Sequence, residues 1–129
     1  MVKTRATIAI VDDDAGVRTA LQQLLRSAGF EALAFASAEE FLAAGHDAAS
    51  DFLIADVNLP GMSGVGLLKT LAEAGAQLPA LLITGRDDAG TIELIRQAGP
   101  VPRLTKPFSD DDLFEVIEEA LSEGGGTRK

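Results

Sequence analysis

Residues 8–16, Ile8-Ala9-Ile10-Val11-Asp12-Asp13-Asp14-Ala15-Gly16, set an apolar run directly against three carboxylates. Thr7 to Val11 is β-branched and apolar over the length of a strand. Two unit charges about 4 Å apart repel by roughly 4 kcal/mol at an effective dielectric of 20. Three aspartates at the end of a core strand therefore need solvent or a positive partner.

The same arrangement recurs downstream. "DFLIAD" (51–56) ends at Asp56, "PALLITG" (79–85) reaches Thr84, and "VPRLTKPF" (101–108) is a weaker strand that reaches Lys106. Glu31 to Phe35 supplies a further strand. Helical spacing fills the intervals: Val17, Leu21, Leu24, Leu25 and Ala28, stopped by Gly29; Val65, Leu68, Leu71 and Ala72, stopped by Gly75; Ile92 and Ile95, ending at Ala98-Gly99. Ser37 and Glu40 form a capping box for a short helix through Phe41 and Leu42. "NLPGMSGVG" (58–66) is a loop punctuated by Gly and Pro. Ser109 opens a last helix whose first turn is acidic and whose apolar face is Leu113, Val116, Ile117, Ala120 and Leu121.

Five strands and five helices in strict alternation predict an α/β domain, a mostly parallel sheet covered by helices on both faces. The length of 129 residues fits one domain. A net charge of −9 leaves little with which to build the basic face a nucleic-acid binder needs, so no direct nucleic-acid binding is expected. No cysteine is present, which removes disulfides and thiolate metal sites. No apolar stretch approaches the ~20 residues that span a bilayer, and the N-terminal run is too short for a signal sequence. A cytoplasmic protein without membrane contact is the expectation.

Ligands of open α/β sheets bind beyond the carboxyl ends of the strands. Those ends carry Asp12, Asp13, Asp14, Asp56, Thr84 and Lys106. Carboxylates without thiols or a histidine cluster suit a hard divalent cation, Mg²⁺ above all, with Mn²⁺ as a substitute. A carboxylate beside such a cation can attack a phosphoryl group, while a hydroxyl and an ammonium hold its oxygens.

"IVDDD", "DFLIADVNLPGMSG", "LLITG" and "LTKPF" together resemble the receiver domain of two-component response regulators. The likeness runs in order from Thr7 to Leu121. "SAEEFL" and "MSGVGLL" are most similar to receivers of the nitrogen-fixation and nitrate-type transcriptional regulators. The resemblance implies a flavodoxin-like three-layer sandwich with strand order 2-1-3-4-5, a receiver over 1–122, and a flexible tail or linker over 123–129. Asp56 becomes the phosphoacceptor for a sensor histidine kinase or phosphotransfer protein. Asp13 is then the more direct metal ligand, Asp12 acts through water, and the Asn58 backbone carbonyl completes the shell. Thr84 bonds the phosphoryl group, Lys106 pairs with it, and the Lys106-Pro107 bond is cis. Such a chain is a signalling switch rather than an enzyme, with Mg²⁺-dependent self-phosphorylation and autodephosphorylation only. Homodimers through the fourth helix, fifth strand and fifth helix, or through the first and fifth helices, are further expectations.

Two features depart from the pattern. Receivers carry Tyr or Phe three residues before the lysine, and here that switch position is Arg103, a charge expected to stay outward. The output surface is then expected to respond differently while phosphorylation is retained. Regulators of the nitrate type also carry a helix-turn-helix domain after the receiver, for which 129 residues leave no room. Asn58 and Arg86 occupy positions that tune dephosphorylation in the family.

Rival readings are a pseudo-receiver without phosphate chemistry and a haloacid dehalogenase-type phosphatase. Asp12 and Asp14 have the D-x-D spacing of the latter, but Gly16 stands where that family prefers Thr or Val, and Asp110 to Asp112 open a helix. A flavin module is disfavoured by three acids where its phosphate loop would lie. Asp14 reads as a helix cap, His46 as solvated, and Phe41, Phe108 and Phe114 as core.

Overall fold

A computed structural model describes residues 5–45 and 49–124, with side chains described to residue 122. The strands are β1 (Thr7–Val11), β2 (Glu31–Phe35), β3 (Phe52–Asp56), β4 (Ala80–Thr84) and β5 (Arg103–Thr105). They alternate with α1 (Ala15–Ser27), α2 (Ala38–Ala44), α3 (Gly64–Glu73), α4 (Ala89–Ala98) and α5 (Asp110–Gly124). All strand pairs are parallel, in the order β2-β1-β3-β4-β5.

The near-continuous apolar character of β1, β3 and β4 has a direct cause. Alternate residues face opposite sides of the sheet, and both sides are covered. Ile8, Ile10, Phe52, Ile54, Leu81 and Ile83 join Leu21 and Leu25 of α1 and Leu113 and Ile117 of α5 in one core. Ala9, Val11, Leu53, Ala55 and Leu82 join α2 and α3 in the other, through Phe41, Val65, Leu67 and Leu71. Phe35 meets Phe41 edge-on, ring centroids 5.3 Å apart, a favoured aromatic geometry. Phe108 and Phe114 are half-buried against the first core.

Strand order reverses direction between β1 and β3. The carboxyl ends of these two strands therefore lie side by side, in register from Ile8↔Phe52 to Val11↔Ala55. Asp12 follows β1 and Asp56 ends β3, so topology alone brings them together.

Local capping follows the sequence closely. Asp14 is the N-cap of α1, accepting from Gly16 N at 2.8 Å and Val17 N at 3.2 Å. Ser37 caps α2 by accepting from Glu40 N, and Glu40 reaches back to Ala36 N, one residue before the cap, in a variant of the capping box.

Three details differ from the sequence expectations. β5 stops at Thr105, one residue before Lys106. On α3 Leu67 joins Val65 and Leu71 in the core, while Ala72 is exposed. On α4 Ile92 is 56% exposed, and the helix packs instead through Thr91, Leu94, Ile95 and Ala98. That i, i+3, i+4, i+7 stripe is the face a helix presents to a core, and it begins with a threonine rather than an aliphatic. Helix α5 continues to Gly124; residues 125–129 and His46 lie outside the described residues. No described helix is long and apolar enough to cross a membrane.

Candidate functional site

Asp12, Asp13 and Asp56 offer carboxylate oxygens that all lie within 4.8 Å of one another. Their environments differ sharply. Asp12 is 0% exposed and Asp56 7%, whereas Asp13 is open to solvent. A buried carboxylate requires partners, and both buried ones have them. Asp12 accepts from Asp14 N at 2.9 Å, and Asp56 accepts from Asn58 N at 2.9 Å.

Lys106 completes the arrangement from beyond β5, the edge strand of the sheet. Its Nζ lies 3.3 Å from Asp12 Oδ2 and 3.2 Å from Asp56 Oδ2. Lys106 N donates to Thr84 O, which anchors the residue just beyond β5, and the Lys106-Pro107 peptide is cis. The ammonium thus bridges two acids from different strands.

Burial is the largest influence on Asp12 and raises its pKa, with the Asp56 charge adding to it; the Asp14 N–H and Lys106 oppose this without cancelling it. Burial also acts on Lys106 and would lower its pKa, but the Asp56 and Asp12 carboxylates outweigh it, so the lysine is held above its usual value.

Thr84 is buried at the end of β4. Its hydroxyl accepts from Arg86 N at 3.1 Å and lies 3.1 Å from Arg86 O and 3.3 Å from Asn58 Oδ1. Arg86 reaches outward to Asp88, Nε to Oδ2 at 2.9 Å. A shallow cavity of about 470 Å³ opens beside the cluster, lined in part by Asp13, Asn58, Pro60, Ser63 and Arg86. Arg103 is exposed on β5.

The loop after β3 is built to hold Asp56. At Gly64 a Cβ would overlap the backbone carbonyl oxygen of Asp56 and come within 3.0 Å of its carbon. Only glycine permits that approach of α3 to the strand end. Gly61 has φ +74°, and a Cβ there would meet the Glu39 carboxylate, which accepts from Met62 N at 3.0 Å. That N–H holds the exposed Glu39 below its usual pKa.

The structure brings together Asp12, Asp13, Asp56, Asn58, Thr84 and Lys106. The acidic pocket could bind a metal: its oxygen-only donor set fits a hard divalent cation, and Lys106 leaves part of its charge uncompensated. Sequence reasoning missed Thr91, whose Oγ1 accepts from Asn58 Nδ2 at 2.9 Å. The Thr91, Leu94, Ile95, Ala98 spacing marks Thr91 as inward-facing but carries no signal of its bond to Asn58.

Known proteins share this fold and much of this sequence. A family model described as the response regulator receiver domain matches residues 8–118. The response regulator protein TmoT of Ectopseudomonas mendocina is 40% identical over 90% of this chain and 53% of its own length. The transcriptional regulatory protein FixJ of Rhizobium meliloti is 38% identical over 91% of this chain and 57% of its own. The crystal structure of FixJ-N superimposes with a TM-score of 0.78 at 36% identity, covering 92% of this chain and 94% of that one. The chain spans a little over half the length of these two regulators.

Proposed function

Since the chain belongs to the response regulator receiver family of two-component systems, we propose that it accepts a phosphoryl group on Asp56 from the phosphohistidine of a sensor kinase or phosphotransfer protein. The observation that carries this reading is the Lys106 ammonium between Asp12 and Asp56, 3.3 and 3.2 Å away.

An Asp56 carboxylate oxygen attacks phosphorus, the new O–P bond forms as the donor's N–P bond breaks, and the leaving imidazole retains the electron pair and takes a proton from water. Asn58 N, already bonded to Asp56 Oδ1, keeps the carboxylate oriented. Lys106 exchanges one carboxylate partner for a phosphoryl oxygen, stabilising charge where it develops. The Thr84 hydroxyl turns from Arg86 O and Asn58 Oδ1 to a second phosphoryl oxygen. Asp12, Asp13, Asp56 and the Asn58 carbonyl would hold Mg²⁺ or Mn²⁺; when bound, the cation neutralises the acids and the incoming phosphate. The chain is a signalling domain, and its chemistry is confined to gaining and losing this one group. Arg103 in place of an aromatic ring gives the surface of α4, β5 and α5 an altered response, and this surface or that of α1 and α5 can pair two copies.

The test is incubation with acetyl phosphate and Mg²⁺ followed by intact-mass measurement. One added phosphoryl group, absent from Asp56→Asn but present in Asp12→Asn at high donor concentration, supports the reading. Label retained in Asp56→Asn and lost in Asp12→Asn would select the phosphatase-type nucleophile instead. No label in any form would leave an interaction module without phosphate chemistry.

A further inference from the structure

Thr91 is the buried residue of α4, 1% exposed, and it is polar. Its hydroxyl lies 3.2 Å from each carboxylate oxygen of Asp88, the N-cap of α4, and 2.9 Å from Asn58 Nδ2. A threonine hydroxyl carries one proton, and here it goes to the carboxylate. Its oxygen must then face a donor, which orients the Asn58 amide with Nδ2 on Thr91 and Oδ1 on Thr84. Asn58 N meanwhile donates to Asp56 Oδ1. One residue is therefore bonded at once to the end of β3, the end of β4 and the first turn of α4. Asp88 extends the chain of contacts to Arg86, two residues beyond Thr84.

We propose that Thr91 is a positioning residue that ties the Asn58 amide to α4, so that a change at Asp56 and Thr84 reaches α4 through this amide. The second half of the inference rests on Asp56 being the phosphoacceptor. A phosphoryl oxygen that draws away the Thr84 hydroxyl takes from Asn58 Oδ1 the proton it shares with Arg86 O. The amide is then free to turn, Thr91 loses the N–H it accepts, and the first turn of α4 is held by Asp88 alone. Linkage makes the effect reciprocal: a partner that fixes α4 changes how readily Thr84 leaves Asn58. This route is polar throughout and needs no aromatic side chain on β5, where Arg103 stands exposed.

The experiment is amide hydrogen exchange at Thr91 and Ile92, whose N–H groups bond Asp88 Oδ1 and Asp88 O. Wild type, Asn58→Ala, Thr91→Val and Thr91→Ser are compared, each with and without saturating Mg²⁺ and beryllofluoride as a stable mimic of the aspartyl phosphate. Without the mimic, Asn58→Ala and Thr91→Val should exchange about fivefold faster at these amides, the worth of one ordinary hydrogen bond; Thr91→Ser, which keeps the hydroxyl, should match wild type. The mimic should speed exchange in wild type and Thr91→Ser and add nothing in Thr91→Val. Unchanged exchange in Asn58→Ala overturns the tie whatever the state of Asp56. A wild-type response surviving in Thr91→Val, or a mimic-bound wild type with no response at α4, overturns the transmission. A wild type that neither binds the mimic nor gains a phosphoryl group overturns the proposed function and the transmission with it, while the Asn58→Ala arm still decides the tie.

Discussion

Replacing Asp13 by Asn should make the metal-free protein more stable. The three carboxylates approach within 4.8 Å, and each contact at that distance repels by about 3.5 kcal/mol at an effective dielectric of 20. Lys106 offsets this for Asp12 and Asp56, which it touches, but it makes no bond to Asp13. Asp13 is exposed, so solvent reduces its two repulsions to a net gain of about 1 kcal/mol on neutralisation. Urea unfolding in EDTA at low ionic strength measures this. A cation held at a hundred times its Kd adds about 2.7 kcal/mol to the wild type, and a tenfold weaker site would lose about half of that. Mg²⁺ should therefore stabilise Asp13→Asn distinctly less than wild type. Asp12 adds a pH dependence of its own, set chiefly by burial. The folded-state pKa of Asp12 is raised, so the folded chain binds more protons than the unfolded one between its ordinary and raised values, and stability falls as pH rises through that window. An Asp13→Asn variant no more stable than wild type in EDTA would rule out the repulsion, and one equally stabilised by Mg²⁺ would rule out Asp13 as a metal ligand.

Other perturbations separate the roles of neighbouring residues. Asp14→Ala removes the acceptor of Gly16 N and Val17 N and should cost about 1 kcal/mol in urea unfolding, with the Mg²⁺ gain at wild-type size. Gly64→Ala forces a methyl onto the Asp56 carbonyl and should cost about 1–3 kcal/mol, together with reduced phosphoryl uptake measured by intact mass. Lys106, whose folded pKa is raised by Asp56 and Asp12, contributes stability that is fully present below the ordinary lysine pKa and lost as pH rises through its folded value. The chain has no tyrosine or cysteine, so urea unfolding between about pH 9 and 12 should show this loss in wild type and a flatter profile in Lys106→Met.

Most of the fold was legible because its signals are local and repeated. Five runs of strand length separated by helical spacing state the layer architecture, and a cap such as Asp14 acts within three residues of itself. The site was legible in part for the same reason: topology places every strand end on one edge, so Asp12, Asp56, Thr84 and Lys106 converge without long loops. Strand order came from resemblance, as did the proposed division of tasks, since alternation alone does not order a sheet. Sequence could not tell that Asp12 is buried and Asp13 exposed, because adjacent residues differ only in the side of the strand end they leave. The Asn58–Thr91 bond was invisible for a related reason. It joins residues 33 apart and depends on the rotation of α4, which Ile92 and Ile95 suggested and Thr91 corrects.

One measurement decides where the phosphoryl group is held. Borohydride reduction of the acetyl phosphate-treated protein, followed by peptide mass spectrometry, converts an aspartyl phosphate to homoserine and so marks its position. Homoserine is expected at residue 56 alone; homoserine at Asp12 or Asp13, or none in protein that carries phosphate, would overturn the assignment of Asp56 as phosphoacceptor.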